Sequence, residues 1–350
     1  MRAKQGRATL ATVAASAGVS VATVSKVVNG RADVGAATRA LVESVLQEHA
    51  YVGRRQQSGR GPATATVEVI FAGELNAYSI ELVQGLLDTA AEMGVALGVS
   101  GRAREPRRSG VDRFSAWVRE LAAAGRRAVI AVTDNLTAAD VRALARAHLP
   151  LVVIDPLDAP HADLTSVGST NFAGGLTATQ HLLSLGHRRI AYLGGPATAA
   201  CNQARRHGFR AAMESAGAPV PAEYVRTGSY HFSDGLTGGT ALLDLPCPPT
   251  AVFAGSDETA AGVIEAGRSR GLRIPAELSI VGFDDTQVAR YASPPLTTVR
   301  QPLREMGAVA LRTALRLAAG DKLESHHVEL ATELVIRSST APPMSAEREH

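Results

Sequence analysis

Scattered through the 350 residues are short apolar runs that each end in carboxylates, amides or hydroxyls. Glu74, Asn76 and Tyr78 follow VEVIFAG, Asp134 and Asn135 follow AVIAVT, and Asp155 closes LVVID. Ser256 and Asp257 follow TAVFAG, Asp284 and Asp285 end LSIVGFDD, and one arginine, Arg205, stands at a helix start among them. Carboxylates around an Arg, with an aromatic for stacking, suit hydrogen bonding to a polyhydroxylated ligand. The same acids could serve glycoside hydrolysis, which needs two carboxylates flanking a bond at a set separation. The alternative for each is a helix cap, since an Asp after a strand is where helices begin, and for Asp257 the two readings stand about even. No GxGxxG, P-loop or GxSxG pattern is present, and Cys201 and Cys247 lie far apart without histidines at metal spacing. No cofactor or metal is expected, and a regulator or carrier is preferred to an enzyme.

The elements that must position these residues alternate regularly. From Val67 onward, strand-like runs (VEVIFAG, VALGVS, AVIAVT, LVVID, RIAYLGG, YVRTG, TAVFAG, LSIVGFDD) are separated by helix-length stretches. Buried apolar strands between helices form parallel sheets, and two such series give an α/β body of two doubly wound lobes. Ligands bind beyond the carboxyl ends of such strands, so the polar residues should meet in a cleft between the lobes.

The first residues have a different character. Residues 1–62 hold nine Lys and Arg against three acids, a net +6 in a chain whose total is +3. A basic module on a mildly acidic body points to a polyanion partner for the first part alone. Thr9 reads as the N-cap of a helix with Leu10, Val13, Ala14 and Ala17 on one face, ended by Gly18. Ser20 caps a second helix, VATVSKVV, and a third from about Ala36 to His49 offers Leu41, Val45 and Leu46 as its apolar stripe. Two short helices around a Gly-containing turn make a helix-turn-helix. With Val24, Val27 and Val28 facing the core, Val21, Ala22, Ser25, Lys26 and Asn29 form the opposite face. That narrow, small face fits a major groove: Val21 and Ala22 for thymine methyls, Lys26 for a guanine edge. Thr9, Ser20, Thr23, Ser25 and Asn29 suit phosphate oxygens.

TLATVAASAGVSVATVSKVVNG followed by TRALVESVLQEHAYV resembles the headpiece of the lactose-repressor (LacI/GalR) family of bacterial transcription regulators. TSVGSTNFAGG, HLLSLGHRRIAYLGGP, VFAGSDETAAGVIEA and LSIVGFDDTQVARYASPPLTTVRQP resemble its effector-binding core, so the likeness spans nearly the whole chain. The resemblance implies that Val21 and Ala22 are the base-reading pair and Lys26 the third reader. It makes Arg205 the ligand clamp, Asp284 the carboxylate facing it, Tyr78 a stacking aromatic and Asp257 the usual acid. Ser256 stands where the family often has Asn, and Gly35 where it usually has a helix-capping Ser. Lobe crossovers are implied at about 158–165, 285–294 and 322–327.

These readings give a helix-turn-helix domain at 1–53, a linker at 54–66 and a bilobed body at 67–341. Lobe one takes about 67–163 and 295–322, lobe two about 164–290 and 326–339. In the family the linker forms a hinge helix that wedges a Leu into the minor groove. Here GRRQQSGRGPATAT has no Leu, and Arg54, Arg55 and Arg60 suit phosphates or a narrow groove instead. The expected function is a sugar-responsive repressor of carbohydrate-utilisation genes, bound as a homodimer to a palindromic double-stranded operator. The alternative within the same fold is a nucleobase or sugar phosphate acting as co-repressor. A periplasmic sugar carrier would share the body but not the headpiece. The start MRAKQGRATL lacks a signal-peptide core and no run nears membrane-spanning length, so a cytoplasmic protein without membrane contact is expected.

Overall fold

The computed structural model describes residues 9–28, 31, 34–49, 65–72, 75–102, 110–133, 136–157 and 164–344. They fall into two compact units, divided between Thr64 and Ala65.

In the first unit, Thr9 starts α1 (Leu10–Ala17) with a capping box, its Oγ1 accepting from the Thr12 N–H at 3.2 Å. Gly18 ends α1 in the left-handed region at φ 65°, which a residue without Cβ adopts freely. Ser20 Oγ then accepts from the Thr23 N–H at 3.0 Å and opens α2 (Val21–Val28). Val13, Ala14, Ala17, Val24 and Val27 pack with Val42 and Val45 of α3 (Ala36–Glu48). Leu41, expected in that stripe, is 50% exposed. The buried row begins one residue later, at Val42, and one residue is about 100° of helix rotation. Leu46 stays partly buried beside it.

The body begins with β1 (Thr66–Ala72), α4 (Ala77–Met93), β2 (Ala96–Arg102), α5 (Gly110–Ala123), β3 (Arg126–Val132), α6 (Ala138–Arg146), β4 (Leu151–Ile154) and β5 (Ser166–Ser169). It continues with α7 (Asn171–Ser184), β6 (Ile190–Gly194), α8 (Ala200–Ser215), β7 (Val225–Thr227), α9 (Phe232–Leu243), β8 (Ala251–Ala254), α10 (Asp257–Arg268) and β9 (Ser279–Asp284). Last come α11 (Gln287–Tyr291), β10 (Thr297–Arg300), α12 (Leu303–Ala319), β11 (His327–Leu330) and β12 (Glu333–Val335).

These strands build two six-stranded sheets, ordered β11-β5-β4-β3-β1-β2 and β12-β10-β9-β8-β6-β7. Every pairing is parallel except β10 with β12. The expected pair of doubly wound lobes is present, but its borders move. β5 pairs with β4, so the chain leaves lobe one after Ser169 rather than at 158–165. β10 pairs with β9, so the return falls between Arg300 and Leu303, not at 285–294. β11 belongs to the first sheet and β12 to the second, which moves the third crossover from 322–327 to the step between Leu330 and Glu333. The assignments of 164–169 to lobe two and of 295–300 to lobe one are corrected accordingly. These short strands are held by partners distant in the chain, with β11 and β12 at the sheet edges, and lack the long apolar runs that mark the others.

Each sheet is covered on both faces, as its continuous apolar strands require. Val69, Phe71, Ile130 and Ile154 meet α4 and α12 through Leu82, Leu86, Met306 and Leu311, while Ile70, Val129 and Val153 meet α5 and α6. In lobe two, Tyr192, Phe253 and Phe283 pack with Phe209 of α8, and Val252 and Ile280 with Val263 of α10. The first turns of α4, α8 and α10 lie at the carboxyl ends of strands in these two layers.

Candidate functional site

Two surfaces carry the residues singled out from the sequence. On the headpiece, Val21, Ala22 and Lys26 are exposed and Ser25 is half-buried on the same side of α2, Val21 at 48%. Thr9 and Ser20 cap their helices, and the Ser20 and Thr23 hydroxyls lie 2.8 Å apart. Asn29, Arg54, Arg55 and Arg60 lie outside the described residues.

The second surface is a cleft of about 970 Å³, counted to its open mouth, between the carboxyl ends of the two sheets. Tyr78 enters it from the first turn of α4, whose start is fixed by Asn76 accepting from the Ser79 N–H at 3.0 Å. The Tyr78 hydroxyl donates to Asp155 Oδ2 at 2.6 Å. Asp155, just past β4 with φ 46°, is 3% exposed. Burial raises its pKa, opposed by the Tyr78 hydrogen bond and by Arg205. Burial, with Asp155 next to it, lifts the Tyr78 phenol well above its usual range. That phenol therefore remains a donor.

Arg205 arrives from α8 and is buried among acceptors. Its Nε donates to Asn171 Oδ1 at 2.7 Å, its Nη1 donates to Gly255 O at 2.6 Å, and Asp284 Oδ1 lies 3.8 Å from Nη1. The guanidinium carbon sits 3.7 Å from the centroid of the Phe283 ring, a stacked cation–π contact. Asp284 ends β9 at φ 113°, and burial pushes its carboxyl well up, against the pull of Arg205. Ser256 lines the cleft, but its hydroxyl is engaged as the N-cap of α10, accepting from Thr259 N at 3.1 Å and donating to Tyr230 O at 3.0 Å.

Asp257 does not reach the cleft. It is buried beneath it, accepting from the Thr286 N–H at 2.7 Å, the Thr286 hydroxyl at 3.0 Å and the Thr298 hydroxyl at 2.6 Å. Those bonds tie α10 to the turn after β9 and to β10, so Asp257 is neither a ligand contact nor the cap of α10, a place Ser256 takes; it is a buried brace between elements. Asp285 is likewise occupied, between Arg300 at 2.8 Å and Arg337 at 2.5 Å. Asp134, Asn135 and Glu74 lie outside the described residues.

Ser229, Tyr230, His231, Glu258 and Cys201 also line the cleft, and the sequence reading passed them over. The Tyr230 ring packs against the backbone of Gly195, where a Cβ would overlap it. Glu258, from lobe two, accepts from the Ala77 N–H of α4 at 3.1 Å, across the cleft. The strand-end rule would have found three of these residues, because Ser229, Tyr230 and His231 follow the short strand β7.

Residues 9–53 match the family model described as bacterial regulatory proteins, lacI family, and residues 179–340 match the periplasmic binding protein-like domain. The HTH-type transcriptional regulator DegA of Bacillus subtilis (strain 168) is 32% identical over 337 residues, 96% of this chain and 99% of that protein. The chain belongs to the lacI family. This lacI-family regulator is also 31% identical to the ribose operon repressor of Escherichia coli (strain K12), over 95% of its own length and 99% of that repressor. Among solved structures, the transcriptional regulator CelR–cellobiose complex is 30% identical, with a TM-score of 0.71 over 95% of this chain and 100% of the other. The lac repressor dimer bound to operator and the anti-inducer ONPF is 28% identical, with a TM-score of 0.76 over 96% and 100%. The lacI family is one of DNA-binding transcription regulators, not of enzymes, and the hydrolase reading of the cleft acids falls with that. Among the described residues no single helix is long and apolar enough to cross a membrane.

Proposed function

We propose that this regulator is a cytoplasmic repressor of carbohydrate-utilisation genes, released from a palindromic operator by a small neutral sugar. The observation that carries the reading is the pairing inside the cleft. Tyr78–Asp155 comes from lobe one and Arg205–Asp284 from lobe two, so one ligand touching both would fix the angle between the lobes. A sugar ring offers several hydroxyls for such paired donors and acceptors and an apolar face for Tyr230. A phosphate is disfavoured, because Asp155, Asp284 and Glu258 surround the site and two nitrogens of Arg205 are already engaged. In the related structure, CelR holds cellobiose, which supports a sugar here.

Val21, Ala22 and Lys26 are assigned to bases, and Thr9, Ser20, Thr23 and Ser25 to phosphates, with Asn29, Arg54 and Arg55 joining the latter. Tyr78, Arg205 and Asp284 are assigned to the effector, with Asp155 and Tyr230 added and Asp257 withdrawn. Homodimers would set two headpieces in successive major grooves. A groove between α4 and α11 lined by Ile80 and Tyr291, 56% and 82% exposed, supports an apolar interface.

The test is binding of the purified chain to a labelled palindrome from upstream of its own gene, with and without cellobiose, glucose, xylose and ribose. One sugar should weaken binding about tenfold, which is about 1.4 kcal/mol of coupling. A response to a nucleobase or sugar phosphate alone would replace the sugar assignment, and absence of DNA binding would overturn the repressor reading.

A further inference from the structure

Five buried side chains close a ring around two of the lobe crossovers. Ser169, the last residue of β5, donates from Oγ to Gln301 Oε1 at 2.5 Å. Gln301, between β10 and α12, donates from Nε2 to Asp284 Oδ1 at 2.6 Å. Asp284 Oδ1 faces Arg205 Nη1 at 3.8 Å, and Arg205 Nε donates to Asn171 Oδ1 at 2.7 Å. Asn171, the first residue of α7, donates from Nδ2 back to Ser169 O at 3.0 Å. The ring therefore joins the first crossover to the second.

Its five members are between 1% and 8% exposed, so none of these bonds competes with bulk water. Arg205 and Asp284 line the cleft, while Ser169, Asn171 and Gln301 do not. The direction of each bond is set by chemistry. A carboxylate oxygen accepts, so Gln301 presents its amide N–H to Asp284 and keeps its carbonyl for the Ser169 hydroxyl. Displacing Asp284 or Arg205 must then either break a buried polar bond, leaving an unsatisfied group away from water, or carry Gln301 and Asn171 along. The third crossover is fastened to the same place, since Thr170 N–H donates to Leu330 O and Thr332 N–H to Thr170 Oγ1, both at 2.9 Å.

We infer that Gln301 and Asn171 are positioning residues that hold the cleft pair Arg205–Asp284 and pass any movement of that pair to the crossovers. Neither touches the ligand. A purely local role in satisfying the turn after β10 would need only one of the two Gln301 bonds. Its amide reaches in both directions, from a cleft carboxylate to the other crossover. The inference rests on the cleft being the effector site only for its last step, from ligand to hinge.

The experiment is hydrogen–deuterium exchange on the full-length protein and on Gln301→Met and Ser169→Ala, with residues 190–194 of β6 as internal reference. Gln301→Met keeps the length of the side chain and removes both bonds, and Ser169→Ala removes only the link between crossovers. The ring predicts reciprocal loosening: at least about threefold faster exchange at 170–175 in Gln301→Met, and at 302–306 in Ser169→Ala, with the reference unchanged. Exchange altered only beside each substituted residue would overturn the inference. The second arm measures operator affinity with and without cellobiose. A response of about tenfold in the wild type should fall below about twofold in Gln301→Met, with cellobiose affinity kept within about threefold. A full response in that variant would refute transmission through the ring. If cellobiose leaves the wild type unmoved, cellobiose is not the effector, the operator arm is run with glucose, xylose and ribose, and failure of all four ends the sugar assignment while the exchange arm still decides the ring.

Discussion

Tyr78 and Asp155, seventy-seven positions apart in the chain, share a 2.6 Å hydrogen bond at the floor of the cleft. The bond helps hold down a carboxyl that burial raises. Tyr78→Phe removes the donor, leaves the ring, and should raise the Asp155 pKa further. Sugar affinity measured by calorimetry should fall about tenfold, the loss expected of about 1.5 kcal/mol for a hydrogen bond to a charged group. Operator binding without sugar should stay within about twofold. Unchanged sugar affinity would remove this pair from the ligand contacts.

Asp257 makes a prediction about pH. Burial, with Asp285 adding to it, lifts its carboxyl to about 7, against the pull of its three hydrogen bonds. The folded protein thus keeps a proton that the unfolded chain releases near pH 4. Stability from this group declines as pH rises from about 4 to about 7 and is level above that, the reverse of a salt-bridged acid. Asp257→Asn mimics the protonated form, so its melting temperature relative to wild type should improve from pH 5 to about pH 7 and stay level from there to pH 8. A difference that does not change with pH would contradict the assignment.

Helices α7 and α8 touch backbone to backbone. A Cβ on Gly175 would overlap the carbonyl oxygen of Arg205, and one on Gly208 the carbonyl oxygen of Phe172. Gly175→Ala should cost about 1–3 kcal/mol, as overpacking does, and should weaken sugar binding because Arg205 must move. Gly101→Ala, where nothing lies within 4 Å, is the control and should change stability by less than about 0.5 kcal/mol. Denaturant midpoints of the two variants decide it.

The headpiece assignments separate by their response to salt and sequence. Lys26→Ala should relax preference at one base pair by about 1–3 kcal/mol if Lys26 reads a guanine. If it contacts phosphate instead, affinity for all sequences should fall together and the salt slope drop by about 1. Exchanging Val21 and Ala22 should alter base preference and leave that slope alone.

How far the sequence could be read depended on what held each piece. The core strands and their helices were legible because apolar runs of four or more residues declare themselves, and Asp155 and Asp284 followed from their places at strand ends, while Arg205, the sixth residue of α8, stood out through the family resemblance. β5, β10, β11 and β12 (SVGS, TTVR, HVEL, ELV) were not, since pairing partners far along the chain make them strands. The crossovers moved with them. Asp257 has the same residue type and local setting as Asp155, and only the packing of Thr286 and Thr298 shows that it points away from the cleft. Leu41 and Val42 are equally apolar neighbours, so the turn of α3 on its partners chose between them.

The crossing of β11 and β12 into opposite sheets also orders events during synthesis. The headpiece is complete once Glu48 has left the ribosome, whereas lobe one waits for α12 and β11, and lobe two for β12. At about 5–20 residues per second, the nascent chain carries a finished DNA-reading module for on the order of 15–60 s before either lobe of its sensor can close. A message cut short anywhere before residue 300 would leave that module on a body that can complete neither sheet, so its DNA binding would be cut off from the cleft.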